Sequence, residues 1–279
     1  MINEKYKLTL AFIGGGNMAT ALSAGLIRKR CAAEDVLVID PNESVRATWT
    51  EQGTFTAGEP DAQLSGHRVW LFAVKPQAMK NAVLACRPFL QSDTVIISVA
   101  AGIAATDIAR WLGEPDQPCN RVIRCMPNTP AFIGCGATGL MALPAVHDDD
   151  KKLAEQLLGT VGETVWVDSD EQIDAVTALS GSGPAYVFLF LEALIQGGIE
   201  QGLSSQQARK LALATLNGAT QLAGLSPESP ATLRERVTSE GGTTAAALQV
   251  FEQQQFHATV RAAMAAAKHR AAQLAAEFS

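Results

Sequence analysis

Gly14-Gly15-Gly16-Asn17-Met18-Ala19 constrains this chain more than any other stretch, because an apolar run ending at Ile13 leads straight into it and a helical pattern leads straight out. Strand, glycine turn and helix in immediate succession are the context that the G-x-G-x-x-A form of the dinucleotide fingerprint requires. Gly14 permits the tight turn, Gly16 lets a diphosphate approach the backbone, and Ala19 keeps the helix close to the strand. N–H groups left without partners at the helix start then face the diphosphate, with Gly14, Gly16, Asn17 and Met18 as the candidate contacts. A glycine trio alone is also a common structural turn; its place between strand and helix argues for the nucleotide. Asp40 closes the second apolar run, where an acid ordinarily takes the ribose hydroxyls of NAD and repels a 2′-phosphate. Arg46 follows on the next helical stretch, as a phosphate contact or as solvated surface. NADPH and NADH both stay open on these residues.

The same alternation continues to about residue 168. Leu8–Ile13, Val36–Ile39, Val69–Val74, Thr94–Val99, Arg121–Met126, Ala137–Ala142 and Thr164–Val167 read as strands. Helical spacing marks Asn17–Arg30, Asn42–Gln52, Gln77–Leu90, Thr106–Leu112 and Asp148–Leu158 between them. Near-continuous apolar strands separated by helices mean a parallel sheet covered on both faces. The fold class is therefore α/β, with a Rossmann-type doubly wound parallel sheet over residues 1–168. After Asp168 the strand signals cease, and an all-helical domain is expected over residues 169–279. Its helices read as Glu171–Leu179, Pro184–Gly202, Ser204–Ala223, Pro230–Val237, Thr243–Gln253 and an Ala-rich run from Gln255 to Phe278. Ser204 with Gln207 makes a capping box, and Ser229-Pro230 a start signal. The tail has too few large side chains to make a core alone, so this half is expected to pack against a second copy of itself.

Composition removes several classes. A net charge of −6 with no basic stripe argues against nucleic acid or an anionic membrane as the main partner. The apolar stretch Ala185–Ile195 is broken by Glu192 and too short to span a bilayer. Residues 1–7 are charged and no small-residue cleavage site follows the first apolar run, so a signal peptide is not expected. Five cysteines, odd in number and without a C-x-x-C pair, read as reduced thiols in a cytoplasmic protein. No histidine stands at ligand spacing to a cysteine, so no metal is expected.

Four further segments carry the chemistry. The strand starting at Val69 runs into Ala73-Val74-Lys75-Pro76, and the one starting at Arg121 into Met126-Pro127-Asn128-Thr129-Pro130. Both ends lie where an open α/β sheet binds its ligand. Later come Ser180-Gly181-Ser182-Gly183-Pro184-Ala185-Tyr186 and Val237-Thr238-Ser239-Glu240-Gly241-Gly242-Thr243-Thr244, the latter followed by Ala247, Leu248 and Phe251. In this order, from about Phe12 to about Phe251, they resemble the pyrroline-5-carboxylate reductases, which catalyse the last step of proline biosynthesis. The resemblance implies reduction of L-1-pyrroline-5-carboxylate by NADPH, with NADH possible, and an active site between a Rossmann domain and a helical domain interleaved with that of a second subunit. It implies a homodimer, or a ring of dimers. It places the nicotinamide near Ala73, Val74, Lys75, Pro76, Met126, Pro127 and Asn128, the substrate carboxylate at Ser239, Gly241, Gly242, Thr243 and Thr244, and Thr244 near the ring nitrogen. Glu240 departs from the pattern, since many members have proline there.

Chemistry read from the residues agrees. Ser239, two glycines and two threonines before a helical run make a good anion site, although an ordinary Thr-capped loop would look similar. A protonated cyclic imine is already electrophilic, so the protein has mainly to position it. Thr244, a weak acid, is then first a hydrogen-bonding and orienting group. No Lys or Arg lies between Glu171 and Ala208, where β-hydroxyacid dehydrogenases carry an acid–base lysine, so alcohol–ketone chemistry is disfavoured. Another Rossmann reductase or a silent nucleotide-binding regulator remain rivals. Glu192 reads as a buried, hydrogen-bonded acid, Tyr186 as helical core, Lys75 as structural or solvent-facing, and His257 and His269 as surface or interface residues.

Overall fold

Four short apolar strands build the core of the sheet. In β1 (Leu10–Ile13), β2 (Val36–Ile39), β4 (Val69–Phe72) and β5 (Val95–Ser98) every residue is buried. Successive side chains point to opposite faces, so both faces must be covered. Phe12, Val38 and Leu71 pack with Leu22 and Leu157 on one side; Ile13, Leu37 and Trp70 pack with Met79 and Ile108 on the other. The covering helices are α1 (Asn17–Leu26) and α5 (Asp148–Leu158) on the first face, and α3 (Pro76–Cys86) and α4 (Ala105–Leu112) on the second. α2 (Glu43–Glu51) begins at Asn42, whose side chain accepts from Ser44 N–H. The computed structural model describes residues 8–27, 30–114 and 116–278. The expectations for residues 1–7, and for residues 28–29 near the end of the first helix, lie outside them.

With β3 (Phe55–Ala57), β6 (Val122–Met126), β7 (Gly136–Ala142) and β8 (Gly162–Trp166), the strands form one eight-stranded sheet in the order β3-β2-β1-β4-β5-β6-β7-β8. Two features differ from the sequence reading. β3 had no apolar run to announce it: three residues long, it pairs with β2 at the sheet edge with Phe55 exposed. And β7 runs antiparallel to β6, whereas the other neighbours are parallel. The β6–β7 link holds only a short 3-10 turn, Thr129–Ile133, closed by Gly134 at φ 72°. A parallel return needs a crossover of a dozen residues or more, so the chain reverses instead.

Compactness divides the chain into a sheet unit, reaching Ser182 and including residues from Ala267 onward, and a helical unit, Gly183–Ala266. The sheet unit runs past Asp168, where strand signals end, because Ile173 of α6 (Asp170–Val176) enters the core. From the tail, Phe278 packs on the same core and Lys268 pairs with Glu171 at 2.9 Å. α6 passes into a wide π-helical turn, Thr177–Gly181.

The helical unit holds α7 (Gly183–Glu200), α8 (Ser205–Leu225), α9 (Pro230–Arg236), α10 (Thr243–Gln253) and the start of α11 (Phe256–Phe278). The Ser204–Gln207 capping box forms, and Ser229 caps α9. Yet among its described residues only Ala208 and Ala212 are buried. Glu192 is exposed, contrary to the sequence reading, because it shares α7 with the exposed Val187, Phe188 and Leu189 rather than facing a core. Tyr186 is half-buried, and His257 and His269 are exposed. The continuous helical stretch Asp170–Glu200 is long and apolar enough, by length and composition, to cross a membrane.

Candidate active site

The glycine loop is held from three sides. Gly14 adopts φ 95° and donates to Ile39 O at 2.8 Å. An added Cβ there would lie 2.9 Å from the Ala73 backbone, so both the conformation and the space require glycine. Gly15 donates to Asp40 Oδ2 at 2.9 Å, and its carbonyl accepts from Trp49 Nε1 at 2.9 Å. Gly16 differs: it is exposed, and a Cβ on it would meet nothing within 4 Å. It stands at the N-cap of α1 without a side-chain cap and without an acid in the first turn. The first N–H groups of α1 are thus left for an external acceptor, beside open space that a side chain at position 16 would enter. A dinucleotide diphosphate fits that chemistry. Asn17 is exposed and Met18 half-buried beside it.

Asp40 does more than wait for a ribose. Besides Gly15 N–H, its carboxylate accepts from Asn42 N–H at 2.9 Å, so it ties the glycine loop to the start of α2. Arg46 Nη1 donates to the carbonyls of Asp40 and Pro41 at 2.7 and 2.9 Å, which pins the guanidinium at the end of β2.

Ala73 and Val74 follow β4 half-buried, next to Gly14; Lys75, exposed, is the N-cap of α3, and Pro76 fills the first helical position, where its missing N–H costs nothing. Beyond β6, Pro127 and Asn128 are buried and Met126 is half-buried. Asn128 Nδ2 donates to Ser180 O at 2.9 Å, and its Oδ1 accepts from Ala137 N–H at 2.9 Å. Its amide is thereby a clamp between β7 and the π-helical turn, with Gly181 against Met126. The twelve candidate cofactor residues, Gly14 through Asn128, all belong to the sheet unit. Sequence reasoning missed Trp49 and Ser180, which brace Gly15 and Asn128; each acts through a hydrogen bond to a residue at least 34 positions away.

Ser239, Gly241, Gly242, Thr243 and Thr244 belong to the helical unit. Gly242 N–H donates to Ser239 O at 3.0 Å, and Gly241 adopts φ 68°, as the third residue of such a turn can when it is glycine. Gly242 is the N-cap of α10, with no side-chain cap and no acid in the first turn. This helix start also offers N–H donors to an anion, with Thr243 exposed, Thr244 half-buried and Glu240 exposed.

Residues 170–274 match the pyrroline-5-carboxylate reductase dimerisation family, and residues 9–102 match an NADP oxidoreductase family described as coenzyme F420-dependent. A pyrroline-5-carboxylate reductase of Pseudomonas aeruginosa is 43% identical over 270 residues, covering 96% of this chain and 97% of the relative. A solved pyrroline-5-carboxylate reductase from Coxiella burnetii superposes with a TM-score of 0.88 at 36% identity, over 96% of this chain and 99% of that one. A Plasmodium falciparum pyrroline carboxylate reductase, solved with NADP bound, gives 0.83 at 27% identity over 96% and 98%.

Proposed function

The chain belongs to the pyrroline-5-carboxylate reductase family, and from that premise we propose that it reduces L-1-pyrroline-5-carboxylate to L-proline with NADPH, or NADH, as the last step of proline biosynthesis. The observation that carries the reading is the likeness to named reductases along nearly the entire chain. The uncapped start of α1 at Gly16, with open space before it, supports the cofactor half of it.

The bound nicotinamide would supply the hydride from its C4. Gly14, Gly16, Asn17 and Met18 hold the diphosphate, and Asp40 keeps the loop in shape through Gly15. Ala73, Val74, Lys75, Pro76, Met126, Pro127 and Asn128 bound the nicotinamide end. Ser239, Gly241, Gly242 and Thr243 bind the substrate carboxylate at the start of α10, where backbone N–H groups favour an anion. The Thr244 hydroxyl hydrogen-bonds the ring nitrogen and orients the imine. The functional division falls at residues 1–168 and 169–279, in keeping with the dimerisation match that starts at residue 170.

The helical domain joins a second copy in a homodimer, alone or as part of a ring of dimers, in the cytoplasm. The exposed apolar faces of α7 and α8 support self-association, and the free cysteines support a reducing compartment. Self-association also accounts better than a bilayer for the apolar stretch Asp170–Glu200. Its first turns carry Asp170 and Asp174, ion-paired to Arg124 of the sheet, and such charges are expensive in lipid.

Oxidation of NADPH and NADH by the purified protein, with and without pyrroline-5-carboxylate, tests the reaction. Substrate-dependent oxidation yielding proline is expected, with kcat lowered about 10- to 100-fold in Thr244→Ala, between one lost hydrogen bond and one lost transition-state donor. Cofactor binding without turnover of this substrate would sink the assignment.

A further inference from the structure

Arg124 is a charged residue in the middle of a buried strand. Its side chain is 1% exposed; Nη1 donates to Asp170 Oδ1 at 2.6 Å and Nη2 to Asp174 Oδ1 at 3.1 Å. Its Nε is buried with no hydrogen-bond partner. Such a cluster is a poor source of stability. Desolvation offsets most of the attraction, apolar side chains of similar volume often do as well, and an unmade bond adds to the cost. The arrangement calls for another reason.

Its position supplies one. Arg124 stands two residues before Met126, and its two partners stand four residues apart on one face of α6. α6 leads into the π-helical turn Thr177–Gly181, which touches the end of β6 again. Asn128 Nδ2 holds Ser180 O at 2.9 Å, and a Cβ on Gly181 would come 2.7 Å from Met126 Cε. Between these two grips, Val176 fills the space that Gly139 leaves open on β7. An apolar contact like that one tolerates sliding and rotation of α6. A planar guanidinium bonded to two carboxylates one turn apart does not.

We propose that Arg124, through Asp170 and Asp174, is a positioning residue that sets the π-helical turn against Met126-Pro127-Asn128 and so shapes the nicotinamide end of the cofactor site. The proposal rests on the reading of those three residues as that wall. Arg124 acts only through other side chains.

The test uses the full-length protein in two forms. Arg124→Lys keeps the charge and loses the fork; Arg124→Met combined with Asp170→Asn and Asp174→Asn removes all three charges. Melting temperature, kcat, and the Kd of NADPH and of 2′,5′-ADP are measured for each, the last reporting the adenosine end alone. Misplacement of the reacting end by an ångström costs up to about 100-fold, so kcat is expected to fall about 10- to 100-fold in both. The NADPH-to-fragment affinity ratio should fall about tenfold while 2′,5′-ADP binding stays within about twofold. A folded variant with unchanged kcat and unchanged ratio overturns the proposal. Asp174→Asn, which leaves the Asp170 contact, makes the same comparison should the Arg124 variants fail to fold, and an unchanged ratio there overturns it equally. If the wild type leaves pyrroline-5-carboxylate untouched but the ratio still collapses in Arg124→Lys, the reaction assignment falls and the positioning role stands.

Discussion

Leucines serve both units of this chain, with opposite results. Leu10, Leu37 and Leu71 of the sheet unit are fully buried, whereas Leu189, Leu222 and Leu225 of the helical unit are 68%, 58% and 87% exposed. The sheet receives helices on both faces from its own chain, so every side chain of β1, β2, β4 and β5 is buried. α7, α9 and α10 bury no residue at all. The unit with the dinucleotide loop is thus completed by local chain order, and the unit with the proposed substrate turn needs a surface from outside. On the proposed assignment of sites, substrate binding is tied to association, while cofactor binding is not.

The largest expected effect comes from the same kind of truncation in the two units. Phe12 is fully buried with its ring 5.6 Å from Trp49, so Phe12→Ala should lose about 3–5 kcal/mol in urea unfolding. Leu225→Ala, at an exposed position, should stay within about 0.5 kcal/mol. Similar losses at both sites would erase the contrast.

Next in size is the dependence on a second copy. Phe188, 64% exposed on α7, replaced by Asp should give a monomer in sedimentation at concentrations where the wild type is a dimer. Tenfold dilution of the wild type should lower the apparent stability of its helical unit by about 1.4 kcal/mol, as mass action requires. A Phe188→Asp protein that stays dimeric would move the interface off this face.

How much of this contrast the sequence could reveal depended on range. α5 and α10 start and stop where Asp148–Leu158 and Thr243–Gln253 are read, because periodicity, first-turn acids and flanking glycines are local signals. The glycine loop was legible for the same reason. β3 was not, since Phe55-Thr56-Ala57 between two glycine turns has too few residues to show a period. The reversal at β7 follows from the length of a link, and a strand pattern does not encode direction. The internal roles of Asp40 and Asn128 were hidden by distance along the chain: their partners are 25 and 52 residues away. Nothing in the strand pattern Arg121–Met126 singles out Arg124, because the carboxylates that allow its burial lie beyond residue 168.

The smallest effect would show the independence of the sheet unit most cleanly, because all five cysteines lie in it. Alkylation, which requires the thiolate, therefore reports on that unit alone. Cys135 is exposed and should react first at pH 8; Cys86 and Cys125 are buried. Burial pushes the Cys86 thiol up to about 12 and raises that of Cys125 as well. A thiol raised by folding favours the native state below its ordinary range, so this contribution is intact at neutral pH. It is lost as pH climbs from 9.0 towards about 12. At pH 8, labelling of Cys86 and Cys125 should track unfolding of the sheet unit and run at least about 1000-fold slower than that of Cys135. Dilution or Phe188→Asp should leave that gap unchanged, since separating the helical faces exposes neither thiol. Should the two buried cysteines become reactive on dilution alone, the sheet unit would itself depend on the partner, and the division between a self-sufficient cofactor unit and a dependent substrate unit would have to be given up.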